Sequence, residues 1–266
     1  MRIDTARIAA VVRKEFRDYR RSRSVVGTMM VLPLIFLIEP TLVILRLSSS
    51  TSASAVQKSV GSVFLLLLVV PAIVPAVIAA YSVVGEREQG TLEPLLTTPL
   101  RKEELLLGKA LAAVAPAVGI AYVLFVLIEV IARLFAGNAG VAPALAAGPH
   151  VLAEILFAPL IAGWSIWVCI GISARSSDVR VAQQLGTLAS LPPLVIVALI
   201  SFDVFTPSIT LAVVFALVLL AADVAMWRVV SAMFDRERLI TGARAQRAGG
   251  ATHGAPVQGA AVDSTP

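Results

Sequence analysis

The chain has 266 residues, 58% hydrophobic and 15% charged, with a mean hydropathy of +0.89 and a formal net charge of +5. This balance excludes an ordinary soluble domain and places the protein in a membrane. The basic excess excludes a nucleic-acid partner, because Lys and Arg flank apolar runs instead of interleaving with aromatics, and the single Cys169 excludes an intrachain disulfide.

Residues 1–24 are polar, with Ile8, Val12, Phe16 and Tyr19 at four- and three-residue steps and Arg7, Arg13, Lys14, Arg17 and Arg21 over the remaining surface. That spacing predicts an amphipathic helix lying on the inner membrane face, with lipid as its partner. A solvated basic arm is the plainer alternative.

A membrane core of about 30 Å needs roughly 20 apolar residues in a helix. Six segments reach that length, near 25–45, 61–83, 106–134, 151–173, 185–202 and 209–230. The fold class expected is therefore an all-α integral membrane protein with a six-span domain over 25–230. The first run is too long, and starts too late, for a cleavable signal peptide, although "ASA" at Ala53 to Ala55 imitates a cleavage site. Pro192 and Pro193 interrupt the fifth span and remove two backbone donors, so a kink or break is expected there, satisfied by neighbouring helices. Residues 231–266 end in a Gly- and Ala-rich tail without apolar periodicity, expected to be cytoplasmic and disordered.

Six spans put both termini on one side, and Lys and Arg choose that side. Of 22 such residues only Arg46, Lys58 and Arg133 fall opposite the termini. Both termini are predicted to be cytoplasmic. The serine-rich stretch after Arg46, the Gly/Ala/Pro loop from Asn138 to Pro149 and the turn "SFDVFTPS" are then outside. Of the acids in the outer half of the membrane, Glu129 has Arg133 one turn away and is expected to pair with it. Glu39 has no partner so near and is a candidate for the transport path, with interhelical pairing or snorkelling as alternatives.

Little catalytic chemistry is legible. His150 and His253 have no visible partner, and there is no nucleophile elbow, zinc pair or Cys/His cluster. Glu103 and Glu104 stand at a helix entrance beside Arg101 and Lys102. The one Gly-Lys pair, Gly108 and Lys109, is followed by Ala110 and fails the phosphate-loop pattern. Any ATP must be bound by another chain.

Between the second and third spans lies "GEREQGTLEPLLTTPLRKEELLLGK", a charged island from Gly85 to Lys109. Thr91 can cap a short helix with Leu92 at its start and Glu93 and Pro94 in its first turn. Leu92, Leu95 and Leu96 share a face, and Thr98 and Pro99 end the helix. A solvated interhelical loop is the plainer reading.

This island resembles the loop after the second span in the transmembrane subunits of type II ATP-binding-cassette (ABC) exporters, a pattern of the form "ERExGTLExLLTTPLxxxELLLGK". Glu86, Arg87, Glu88, Gly90, Thr91, Leu92, Glu93, Leu95, Leu96, Thr97, Pro99, Glu104, Leu105, Gly108 and Lys109 match it. The six-span layout, the N-terminal helix and the stretch from Ser173 to Pro193 are also similar. The loop between the first two spans is short, whereas some members carry a large outer domain there. The resemblance implies a permease subunit in a prokaryotic plasma membrane, working with cytoplasmic ABC ATPase subunits and a second permease subunit, as a homodimer or a heterodimer. It implies that residues 85–105 form a coupling loop to the ATPase. No cofactor is expected on this chain, and ATP and Mg are expected on the partner. A secondary transporter or channel, or a membrane subunit relaying ATPase motion without transport, are the alternatives.

Overall fold

The computed structural model describes residues 4–21, 23–80, 100–201 and 209–233. All elements among these residues are helical: α1 Thr5–Arg21, α2 Arg23–Arg46, α3 Ala53–Ala80, α4 Lys102–Phe135, α5 Val141–Leu145, α6 Gly148–Arg175, α7 Val179–Ala189, α8 Pro192–Ser201 and α9 Ile209–Met233. Five helical stretches are long and apolar enough to cross a membrane: α3, α4, α6, the α7–α8 pair and α9. The span expected over 25–45 coincides with α2, which is not one of these five.

The most apolar chain segment sits at the centre. α3 has no charged residue beyond Lys58, and its face from Val60 through Leu67, Leu68 and Val74 to Ala79 is sealed from solvent. α2, α4, α6, α7 and α8 pack around it. α9 lies at the periphery, resting chiefly on α6. Pro71 and Pro75 stand inside α3, as Pro116 and Pro159 do inside α4 and α6. Such prolines are tolerated in membrane helices because neighbours re-satisfy the freed carbonyls.

The fifth span shows how that works. Asp178 caps α7, accepting from the amides of Arg180 and Val181, and the helix stops at Ser190 before α8 begins at Pro192. Pro192 and Pro193 cannot donate to the carbonyls of Leu188 and Ala189, four residues back in each case. The Leu191 amide takes the first at 3.2 Å, and the Trp164 indole N–H from α6 takes the second at 3.1 Å. Ser165 bonds the Ala72 carbonyl, Ser190 bonds the Gly186 carbonyl at 2.7 Å, and the two hydroxyls lie 3.0 Å apart. These hydroxyl contacts link α3, α6 and α7 at the break that the proline pair predicts.

Two sequence expectations shift. The loop from Asn138 to Pro149 contains a short helix, α5, because Val141 and Leu145 are apolar enough to be buried where it packs on α3 and α4. His150, just beyond that loop, lies in the first turn of α6 with Nδ1 2.9 Å from the Ala144 carbonyl. The turn "SFDVFTPS" beyond Ser201, residues 81–83 of the second expected span and the tail beyond Met233 lie outside the described residues.

Candidate functional site

The expected coupling residues Glu86, Arg87, Glu88, Gly90, Thr91, Leu92, Glu93, Leu95, Leu96 and Pro99 lie outside the described residues. What the structure describes is their immediate continuation, where the chain enters α4 through Leu100 and Arg101. The Arg101 carbonyl accepts from the Leu105 amide at 3.0 Å, starting the helix, and Glu104 reaches back to accept from the Arg101 amide at 3.0 Å. A carboxylate in a first turn both satisfies an otherwise orphaned donor and complements the helix dipole.

Glu104 also faces outward from its own helix, and its second oxygen accepts from the Asp4 amide at 3.1 Å, just before α1 begins. Arg7 of α1 stands 3.6 Å away. One turn further along α4, a side chain at Gly108 would place its Cβ 2.6 Å from both Cβ and Cγ1 of Val11. Only a glycine lets α1 approach so closely. Lys109, only 2% exposed, donates to Glu15 of α1 at 3.0 Å, and Lys14 donates to the same oxygen at 3.1 Å. Lys14 also pairs with Asp18 at 3.2 Å.

Charges this deeply buried are stable only as pairs. Burial by itself would push the Glu15 carboxyl up, but the neighbouring ammonium groups of Lys109 and Lys14 outweigh it and hold the carboxyl below its usual range. Glu104, Gly108 and Lys109 therefore form a dock for α1. All three match the family pattern, Glu104 at the end of the expected coupling loop over 85–105 and Gly108 and Lys109 just beyond it, but the pattern does not show what they touch. The dock also disposes of the Gly-Lys pair as a phosphate site: Gly108 and Lys109 sit inside a helix, with the ammonium committed to Glu15.

The apolar side of α1 is rotated from the expectation. Val11 and Glu15 are the buried positions, Ile8, Val12 and Tyr19 are half-buried, and Phe16 is 36% exposed. The spacing of 8, 12, 16 and 19 identifies a real apolar stripe, but the tightest contact with α4 falls beside it. A buried glutamate cannot be found by a search for apolar periodicity.

The acids within the bundle differ in how far they are paired. Glu129 Oε1 accepts from Arg133 at 2.8 Å, as the four-residue spacing predicts, while its Oε2 is buried without a hydrogen-bond partner among the described residues. Glu39 is exposed on α2 and forms no ion pair among the described residues. Glu154 on α6 is 0% exposed, and neither of its carboxylate oxygens has a hydrogen-bond partner among the described residues. Asp223 on α9 has one buried, unpartnered oxygen. The sequence patterns above single out neither Glu154 nor Asp223, although each is a lone acid inside an apolar run and by that signal alone merits attention.

Residues 9–203 match a family model described as ABC-2 family transporter protein. The match takes in most of α1 and every helix through α8, and stops short of α9. A search of the curated proteins finds no match.

Proposed function

From the premise that the chain belongs to the ABC-2 transporter family, a family of membrane transport components, we propose that this multi-pass protein is the permease subunit of an ATP-driven exporter. In this reading α2 supplies a sixth span, both termini are cytoplasmic in a prokaryotic plasma membrane, and two permease subunits, identical or different, assemble with two cytoplasmic ATPase subunits. ATP and Mg bound by the ATPase supply the free energy.

The chain's own residues receive and transmit that motion. Leu92, Leu95 and Leu96 form the apolar face that docks on the ATPase, while Glu86, Arg87, Glu88 and Glu93 orient it through charge-assisted hydrogen bonds. Gly90, Thr91 and Pro99 shape its ends. Displacement then passes through Leu100 and Arg101 into α4. The observation that carries this reading is the buried dock of α1 on Glu104, Gly108 and Lys109, directly after the coupling segment. Because α1 is clamped to the first turns of α4, a push on the segment moves both helices as one body. Two discrete packings of the bundle, biased by ATP binding elsewhere, then give inward and outward states. Glu39 on α2 is the proposed polar group of the transport path.

The decisive experiment replaces Leu95. Leu95→Asp places a charge in the proposed apolar contact, so membrane insertion is retained while copurification of the ATPase weakens and transport falls. Glu88→Ala leaves the complex assembled with ATP hydrolysis uncoupled from transport. Full ATPase retention and full transport with Leu95→Asp would overturn the coupling role and return the loop to a connector, as in a secondary transporter. Orientation is checked with single cysteines at Ser50, Asn138, Ser177 and Ala251 in a Cys169-free background. An impermeant thiol reagent on intact cells labels the first two only.

A further inference from the structure

α9 presents Asp223, Trp227 and Ser231 at four-residue steps, on one face of the helix. Asp223 Oδ1, Trp227 Nε1 and Ser231 Oγ are each buried and without a hydrogen-bond partner among the described residues. Buried polar atoms are satisfied in the great majority of cases, so three unsatisfied ones in line demand an explanation. At about 1.5 Å per residue the row extends roughly 12 Å along the axis. It runs from the middle of the apolar helix to its last turn.

α6 covers this face. A Cβ at Gly163 would lie 2.7 Å from Asp223 Oδ2, so the carboxylate is seated directly against the α6 backbone. Further down, a Cβ at Gly171 would touch Val230 at 3.4 Å. No cation among the described residues forms an ion pair with the carboxylate there. On α6, Pro159, Leu160, Ile166 and Trp167 surround Gly163, and the nearest titratable side chain, Cys169, lies against Ser190. α4, which only grazes α9, carries no titratable residue between Lys109 and Tyr122. On α9 itself Arg228 is exposed and, five residues on, turned well away from Asp223.

The donor and acceptor inventory decides what can fill such a row. A metal ion needs a shell of oxygen ligands, and Trp227 offers only an N–H. The residues are one helical turn apart, and none of these three atoms bonds another among the described residues. Water can accept from Trp227 and Ser231 and donate to Asp223, which is how buried water ordinarily satisfies orphaned groups. We propose that the seam between α6 and α9 is a water-lined path that opens at the Ser231 end and terminates on Asp223, which exchanges protons with it. In that exchange a hydronium at the end of the file gives its proton to the Asp223 carboxylate, leaving a carboxylic acid and neutral water, and the reverse step returns it. The orientation proposed above makes the open end cytosolic. The path itself does not depend on the coupling role of the loop, and α9 lies beyond the stretch matched by the family model.

Two measurements on the full-length protein in lipid vesicles test this. In a Cys169→Ala background, Ser231→Cys is compared with Val224→Cys and Val229→Cys, whose positions are exposed on other faces of α9. A charged methanethiosulfonate reacts only with a hydrated thiolate, so Ser231→Cys is expected to react at least about tenfold faster than either control. Equal rates would overturn the path. Separately, the unmutated protein is treated with dicyclohexylcarbodiimide, which modifies protonated carboxyl groups in apolar surroundings. Mass spectrometry is expected to find the adduct on Asp223, decreasing as pH rises and unaffected by sodium or potassium chloride at constant pH. Absence of the adduct at every pH would overturn the proton-exchange role. Protection by either salt would do the same, by pointing to a metal-ion site.

Discussion

The junction of α1 with α4 and the interior between α6 and its neighbours both bury carboxylates, yet they treat them oppositely. At the junction Glu15 is answered by Lys109 and Lys14, and Glu104 by the amides of Asp4 and Arg101. In the interior, among the described residues, Glu154 has nothing to answer either oxygen, and Asp223 leaves one unpaired. Burial alone therefore does not mark function in this protein. A charge whose partners come from another element holds two elements together, whereas one left without a partner costs free energy and persists only where something beyond packing retains it.

The comparison breaks most visibly at Lys109. Lys109→Met leaves Glu15 buried without its deepest partner and should destabilise the protein by about 3–5 kcal/mol. The double variant Glu15→Leu/Lys109→Met should recover most of that loss, because an apolar pair of similar volume replaces the ions. Thermal unfolding in detergent measures both, and a double variant no better than the single would show that the pair does not act as a unit. The same pair sets a pH dependence. Glu15 titrates below its ordinary value when α1 is docked. Its stabilisation is therefore present above the ordinary carboxylate range and disappears as pH falls through the lowered value. An acid-active protease should cut α1 increasingly as pH falls through that window in the native protein, whereas Lys109→Met should be cut readily throughout it.

A smaller effect is expected at Gly108. Gly108→Ala drives a methyl into Val11, whose branched side chain has little rotameric freedom in a helix, and should cost about 1–3 kcal/mol. Val11→Ala removes one of the two contacting atoms and should relieve part of the loss. Additive losses in the double variant would mean that the close approach of α1 is not what requires glycine.

Glu154 sharpens the opposite side of the comparison. If its carboxyl is a desolvated group without a partner, Glu154→Leu should raise stability by about 1–3 kcal/mol. A fall instead would reveal a partner supplied in the assembled complex. The smallest effect on stability is expected at Glu39, exposed on α2. Glu39→Gln should leave unfolding and assembly unchanged while lowering transport, and unchanged transport would remove Glu39 from the proposed path.

Composition and apolar run length were enough to read a helical membrane protein, because the cost of unpaired backbone in lipid leaves so few alternatives. The proline pair likewise announced a break in the fifth span, since it removes specific donors whatever surrounds them. The pairing of Glu129 with Arg133 was legible for a similar reason: one helical turn separates them. The rest depended on contacts between residues far apart in the chain. Nothing local distinguishes Glu104 and Lys109 from interfacial charges obeying a topology rule, and only the arrival of Asp4, Val11 and Glu15 from α1 makes them a dock. Nor does an acid in an apolar run declare whether it is paired. Glu154 and Asp223 acquire their significance from what α3, α4, α6 and α9 place beside them, and that is a property of packing, which no short stretch of sequence contains.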